Sequence, residues 1–144
     1  MILFVDFDGV LHPFIKDRFD GPKFTKLALL EGWLRDHAEI NVVISSSWRD
    51  TMSVEKLQSF FSEDIRPRII DKCPQLPWEP EPDFWRHEEI MAWIKKTKYQ
   101  GKWLAIDDSS HEFPPNFELL VVCNPEVALD QRVLEELTDR FAAL

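Results

Sequence analysis

Two acidic pairs and a run of serines are the residues of this sequence whose types and spacing could do chemistry. Asp6 and Asp8 are separated by Phe7 and followed by Gly9. In an extended segment, alternation sends Asp6 and Asp8 to the same side. Two carboxylates so close repel each other unless a cation or a shared proton intervenes. The simplest remedy is a hard divalent ion with oxygen ligands, and Mg2+ suits one or two carboxylates together with a substrate phosphate. Gly9 lets the chain turn sharply and keeps the backbone close to whatever binds. The second pair, Asp107 and Asp108, is followed by Ser109 and Ser110, and the serine run is Ser45-Ser46-Ser47-Trp48-Arg49. Taken alone, each cluster has an ordinary explanation: an Asp-x-Asp is often a turn, and a serine or aspartate often caps a helix.

Their placement separates them from such turns and caps. The apolar run over residues 2–5 reads as a buried strand ending at Asp6. Residues 40–44, rich in β-branched side chains, read as a second strand ending at the serines. Residues 66–72 form a third, short strand, and Pro67 puts it at an edge. Residues 102–106 form a fourth, ending at Asp107-Asp108, and residues 119–123 a fifth. Between them lie helical patterns. Thr25 caps a helix running through about His37, and Ser53 or Thr51 caps one carrying Leu57, Phe60 and Phe61. Asp83 caps a third with Ile90, Trp93 and Ile94 on its apolar face, which Gly101 ends. Asn124-Pro125 turns the chain into a last amphipathic helix with Val127, Val133, Leu134, Leu137 and Phe141. Residues 12–23 and the four-proline stretch 74–83 read as loops. Strands alternating with helices, most of them continuous apolar runs, predict an α/β fold: one Rossmann-like three-layer domain with a parallel sheet of about five strands. Ligands of such sheets bind outside the carboxyl ends of the strands, so all three polar clusters fall on one edge.

Bulk composition fits this reading. The chain has 144 residues, enough for one domain with a sizeable core. Hydrophobic residues make up 44% and charged residues 30%, which argues against disorder. A net charge of −9 disfavours non-specific nucleic-acid binding through a broad basic surface while allowing a local basic groove. Cys73 and Cys123 are far apart and outside any CxxC pair, which fits a reducing cytoplasm. The sequence opens on a strand pattern and has no apolar run long enough to span a bilayer, so the expected location is cytoplasmic, with no membrane partner.

DFDGVLHP, VVISSSW and WLAIDDS resemble the first, second and fourth motifs of the haloacid dehalogenase-like (HAD) superfamily of phosphotransferases. With R-x-x-E-I on the intervening helix, the chain is similar to a small subgroup that includes the HAD domains of RNA-repair proteins. The resemblance implies that Asp6 is the nucleophile that forms an aspartyl-phosphate, and that Asp8 is first general acid and then general base. It implies Mg2+ held by Asp6, the backbone carbonyl of Asp8, and Asp107, with Asp108 as a second acidic contact. It assigns the phosphoryl oxygens to Ser46, or to Ser45 if the strand ends one residue earlier. The third-motif cation is Arg86, with Lys72 as the other candidate. Ser47, Arg49, Gly9 and His12 stand close enough to contact phosphate or substrate. Arg49 has the alternative of pairing with Asp50 or another acid.

HAD enzymes of small molecules often carry an inserted cap domain, and neither interval here has room for one. The site is therefore expected to be open, suited to a large phosphorylated substrate such as a nucleic-acid end or a phosphoprotein. The two long loops are the local candidates for a lid, with Lys16, Arg18, Lys23, Trp78, Phe84 and Trp85 able to stack a base or meet phosphate. Trp33, Trp93 and Trp103 read as core, with Trp48, Trp78 and Trp85 open between packing and substrate. The remaining histidines read as surface or loop. Two other classes compete with a phosphatase: a non-catalytic HAD-like binding module, which has no need of Asp8, and a receiver-like signalling domain. The latter needs a phospho-acceptor after the third strand and a lysine after the fifth, and the sequence offers only Asp71 and Asn124-Pro125 there.

Overall fold

A computed structural model of the chain describes residues 1–15 and 21–144. Five strands form one all-parallel sheet: β1 (Ile2–Val5), β2 (Asn41–Ile44), β3 (Ile69–Lys72), β4 (Trp103–Asp107) and β5 (Leu120–Val122), in the order β3-β2-β1-β4-β5. Among the described residues, α1 (Leu27–Asp36), α2 (Val54–Gln58) and α3 (Trp85–Thr97) connect β1 through β4 in turn, and α4 (Gln131–Ala143) follows β5. The described residues thus form the expected α/β architecture, with no cap among them.

Alternation along β1 explains the three layers. Leu3 and Val5 join a core that includes Leu30 and Leu34 of α1, Leu57 of α2, and Leu137 and Phe141 of α4. Ile2 and Phe4 face the opposite side, with Ile90 and Trp93 of α3 and with Phe113. Phe4 is fully buried and meets both Trp93 and Trp103 edge-on at 5.4 Å between ring centroids. Each such side chain contributes roughly 1.5–3 kcal/mol through burial. A strand apolar on both faces can only be central, and β1 is.

Element ends differ from the expectations where tertiary contacts override local signals. Thr25 does not cap α1; the helix starts after Lys26 without a side-chain cap. Asp83 does not cap α3; the Phe84 N–H donates to Glu88 Oε2 at 2.8 Å instead. Lys98, in the left-handed region at φ 57°, ends that helix ahead of Gly101. Residues 66–68 form a 3-10 turn, so β3 is shorter than expected, though it does lie at the sheet edge. Asp130, not the Asn124-Pro125 turn, opens α4 by accepting from Val133 N at 3.0 Å, and Val127 is exposed outside the helix. Ser53 caps α2 as expected, accepting from Lys56 N at 3.1 Å.

Trp33 and Trp93 are core, as expected, and Trp103 is half-buried against Phe4. Both cysteines are buried and free, and burial pushes the Cys73 thiol up to about 12. Lys16 and Arg18, named above for a lid, lie outside the described residues. Among the described residues no helix is long and apolar enough to cross a membrane.

Candidate active site

Strand register brings the three clusters together. Val5 pairs with Ile44 on one side and Ile106 on the other, so the next residues, Asp6, Ser45 and Asp107, lie abreast at the carboxyl edge. The backbone continues the ladder there, with Ser45 N donating to Val5 O at 3.0 Å and Asp6 N to Ile106 O at 3.2 Å. Asp6, Asp107 and Asp108 each present a carboxylate oxygen within 4.8 Å of the others. Asp6 is 5% exposed and Asp107 1%.

Burying like charges has the expected electrostatic result. Burial first, and then the neighbouring Asp107, hold the Asp6 carboxyl well above its ordinary range, against the pull of Arg86. Burial pushes Asp107 up to about 7, although Arg86 and the Ser109 amide, which donates to its Oδ1 at 2.8 Å, both favour the anion. Its Oδ2 is buried without a hydrogen-bond partner among the described residues. Three converging carboxylates with an orphaned oxygen among them fit a hard divalent cation such as Mg2+.

Arg86 reaches this pocket from the first turn of α3. Its Nε lies 3.2 Å from Asp107 Oδ2, and its Nη2 lies 3.9 Å from Asp6 Oδ1 and 3.8 Å from Glu112 Oε2. Neither Nε nor Nη1 makes a hydrogen bond among the described residues; Nε lies against Asp107 Oδ2, and Nη1 is a buried donor left open. Lys72 does not compete for this place. Its Nζ donates to the carbonyls of Arg49 at 3.0 Å and Met52 at 2.8 Å.

The Asp8 carboxylate is not among the converging oxygens, and a separate clamp holds it. His12 Nε2 lies 2.7 Å from Oδ1, and Trp48 Nε1 donates to Oδ2 at 3.1 Å. The Phe24 N–H donates to His12 Nδ1 at 3.2 Å, which assigns the imidazole proton to Nε2 and makes it the donor to Asp8. Burial raises Asp8, but the bonds from His12 and Trp48 outweigh it and hold the carboxyl below its usual value. His12 is fully buried rather than a surface residue, and Trp48 belongs to an aromatic cluster with Phe7, Phe24 and Phe60.

Residues 2–134 match the family described as the HAD domain in Swiss Army Knife RNA repair proteins. The chain belongs to this family. No curated protein and no solved structure matches it. Membership in this HAD family suggests a phosphohydrolase-type activity, and the acidic cluster at the sheet edge is consistent with that.

The second motif of this HAD domain is built differently from the expectation. Arg49 is buried and its guanidinium is engaged by the protein: Nε donates to Cys73 O at 2.9 Å, Nη1 to Ser45 O and Ser46 O at 3.0 and 2.9 Å, and Nη2 to Glu89. It braces the serine turn against α3. Four of its N–H donors are thereby engaged, so a direct role toward phosphate is not what its surroundings favour. Ser46 is fully buried; its Oγ accepts from Trp48 N at 3.3 Å, leaving the hydroxyl proton to donate. Ser45 is buried beside Asp6, and Ser47 is exposed. Glu89 and the Asp8 clamp were not foreseen. The one local hint of the clamp is the four-residue spacing of Asp8 and His12, since Trp48 arrives from another strand end.

Gly9 is a requirement of this geometry. Its φ is +79°, and a Cβ there would sit 2.3 Å from Asp108 Oδ2 and 2.8 Å from Asp108 Cβ. Gly9→Ala adds about 1–2 kcal/mol of left-handed strain before that collision, so its denaturation midpoint should fall and its divalent-cation affinity with it. Urea melts with and without Mg2+ measure both.

The raised acids also predict a pH dependence in EDTA. A carboxyl whose folded pKa exceeds its unfolded value of about 4 binds its proton more tightly when folded. Its contribution to stability is therefore fully present at low pH and is lost as pH rises. For Asp107 the window runs from about 4 to about 7. The metal-free protein should lose stability across that window relative to Asp107→Asn, and saturating Mg2+ should restore it. Thermal melts in a pH series would show the difference.

Proposed function

We propose that this domain is a Mg2+-dependent phosphomonoesterase that works through an aspartyl-phosphate on Asp6. The observation that carries the reading is the meeting of Asp6, Asp107 and Asp108 with the unpartnered donors of Arg86 at one sheet edge. Mg2+, held by these three carboxylates and the Asp8 carbonyl, would neutralise Asp6 so that an anionic phosphate can approach.

The protein's own residues perform the remaining steps. A carboxylate oxygen of Asp6 attacks phosphorus as the ester P–O bond breaks, and Asp8 gives the leaving oxygen its proton. Asp8, now a carboxylate, takes a proton from water. That water attacks phosphorus and breaks the bond to Asp6, releasing phosphate. The Arg86 donors and the hydroxyl of Ser46 or Ser45 meet charge on the phosphoryl oxygens. His12 and Trp48 orient the Asp8 carboxyl, and both bonds favour its anion, the form that takes the proton from water.

No cap covers this edge among the described residues, which supports a phosphate at the end of a large molecule. The RNA-repair character of the family supports a polynucleotide end over a phosphoprotein. Hydrolysis of a generic aryl phosphate should need Mg2+, stop with EDTA and stop in Asp6→Asn. Absence of metal-dependent turnover would favour a binding module instead.

A further inference from the structure

We propose that a groove beside Arg86, walled by Trp78 and Trp85, receives a planar uncharged ring of the substrate, and that this ring is a nucleobase. The proposal rests on the phosphatase reading and names the part of the substrate next to the phosphate. The groove encloses about 300 Å3 and shares Arg86 and Glu112 with the acidic pocket. A phosphoryl group on Asp6 that contacts Arg86 therefore places its ester substituent at the groove's mouth.

Trp78 is 84% exposed, which is unusual for so large an apolar side chain. Its ring meets Trp85 at 5.5 Å and 64°, an edge-to-face contact rather than a stack, so Trp85 does not cover it. Trp78 lies within the proline-rich stretch 74–83 and Trp85 just beyond it at the start of α3, and the prolines leave that stretch little freedom to fold over the rings. An exposed tryptophan face beside a phosphate site is a stacking platform for an aromatic ring.

Charge narrows the ligand. The two cations of the groove, Arg49 and Arg86, already face Glu89 and Asp107. Asp50 and Glu112 add acceptors to its wall. Such a groove is a poor seat for a second phosphate and a good one for a neutral ring with N–H donors on its edge. A nucleobase has these donors. The phenyl ring of a phosphotyrosine has the flat face and lacks them.

Two measurements on the intact chain test this. The first compares kcat/KM for adenosine 3′- and 5′-monophosphates with that for ribose 5-phosphate, which lacks a base. The wild type should prefer at least one of the adenosine monophosphates, and Trp78→Ala should lower that preference by about 5- to 150-fold, with Trp78→Phe retaining most of it. The second titrates adenosine, without phosphate, by calorimetry. Binding that is weakened in Trp78→Ala and retained in Trp78→Phe supports the groove even where no phosphate ester is hydrolysed, an outcome that overturns the phosphatase reading alone. A wild type without preference for the base, or a preference unchanged in Trp78→Ala, overturns the proposal. So does a phosphotyrosine peptide that is hydrolysed better than either nucleotide with the same dependence on Trp78.

Discussion

Asp6→Asn should abolish turnover, by at least about a thousandfold in kcat, and yet raise the melting temperature of the metal-free protein. The two effects have one origin. The Asp6 carboxyl is buried against Asp107, with Asp108 close by, and the Arg86 guanidinium opposes their repulsion. Asparagine keeps the shape and one oxygen but removes the negative charge and the nucleophile together. The protein thus loses a destabilising charge and its chemistry at once, as expected of a strained functional site. The stabilisation that Mg2+ confers should shrink in the variant, because one of three charged ligands is gone. Melts in EDTA and in Mg2+, beside an aryl phosphatase assay, separate these effects. Turnover that survives the substitution would remove Asp6 as nucleophile. A lower melting temperature in EDTA would show that the contact with Arg86 outweighs the repulsion from Asp107.

Asp8→Asn should lower kcat by about 100- to 10,000-fold, the range of general acid–base catalysis. The loss should be largest for alkyl phosphates, whose leaving oxygen needs a proton, and smaller for nitrophenyl phosphate, whose leaving group departs as an anion. The substitution also disturbs the clamp, since Asn cannot accept from both His12 and Trp48 in the same way as a carboxylate. His12→Ala isolates that part. It removes a bond that holds Asp8 down, so the limb of the pH–rate profile that reports Asp8 should move to higher pH. An unchanged profile would show that His12 only fills space. An equal loss for both leaving groups in Asp8→Asn would deny it the role of acid.

Much of this was legible in the sequence for a simple reason. A strand buried on both faces is apolar throughout, and its first polar residue marks where it leaves the sheet. Val5-Asp6, Ile44-Ser45 and Ile106-Asp107 are such transitions, and their register follows from parallel pairing. Arg86 came from the resemblance, as the basic residue near the start of the helix before β4, with Lys72 as the other candidate. The place of His12 was not legible, because its burial depends on Phe24 and Trp48, which no local pattern connects to it. Arg49 stayed open between phosphate and an acidic partner, because a charged side chain after a strand looks the same whether it faces a ligand or braces the fold; the structure pairs it with Glu89. Its four acceptors come from Ser45, Ser46, Cys73 and Glu89, which only the folded chain assembles. The ends of α1, α3 and α4 differed where a cap was supplied from elsewhere or not at all.

The place of β1 at the centre of the sheet ties folding kinetics to the charge of the pocket. Leu3 pairs with Leu104, so the central ladder closes a loop on the order of a hundred residues long, a slow kind of contact to form. That same closure sets Asp6 beside Asp107. Electrostatic work is therefore done while the chain is still searching for its topology, and not only when a ligand arrives. A divalent cation or a lower pH reduces that work, so both act on the rate at which the sheet is completed as well as on the finished domain. In EDTA and above the range where these acids are protonated, the folding barrier should be at its highest and the apolar strands unpaired for longest.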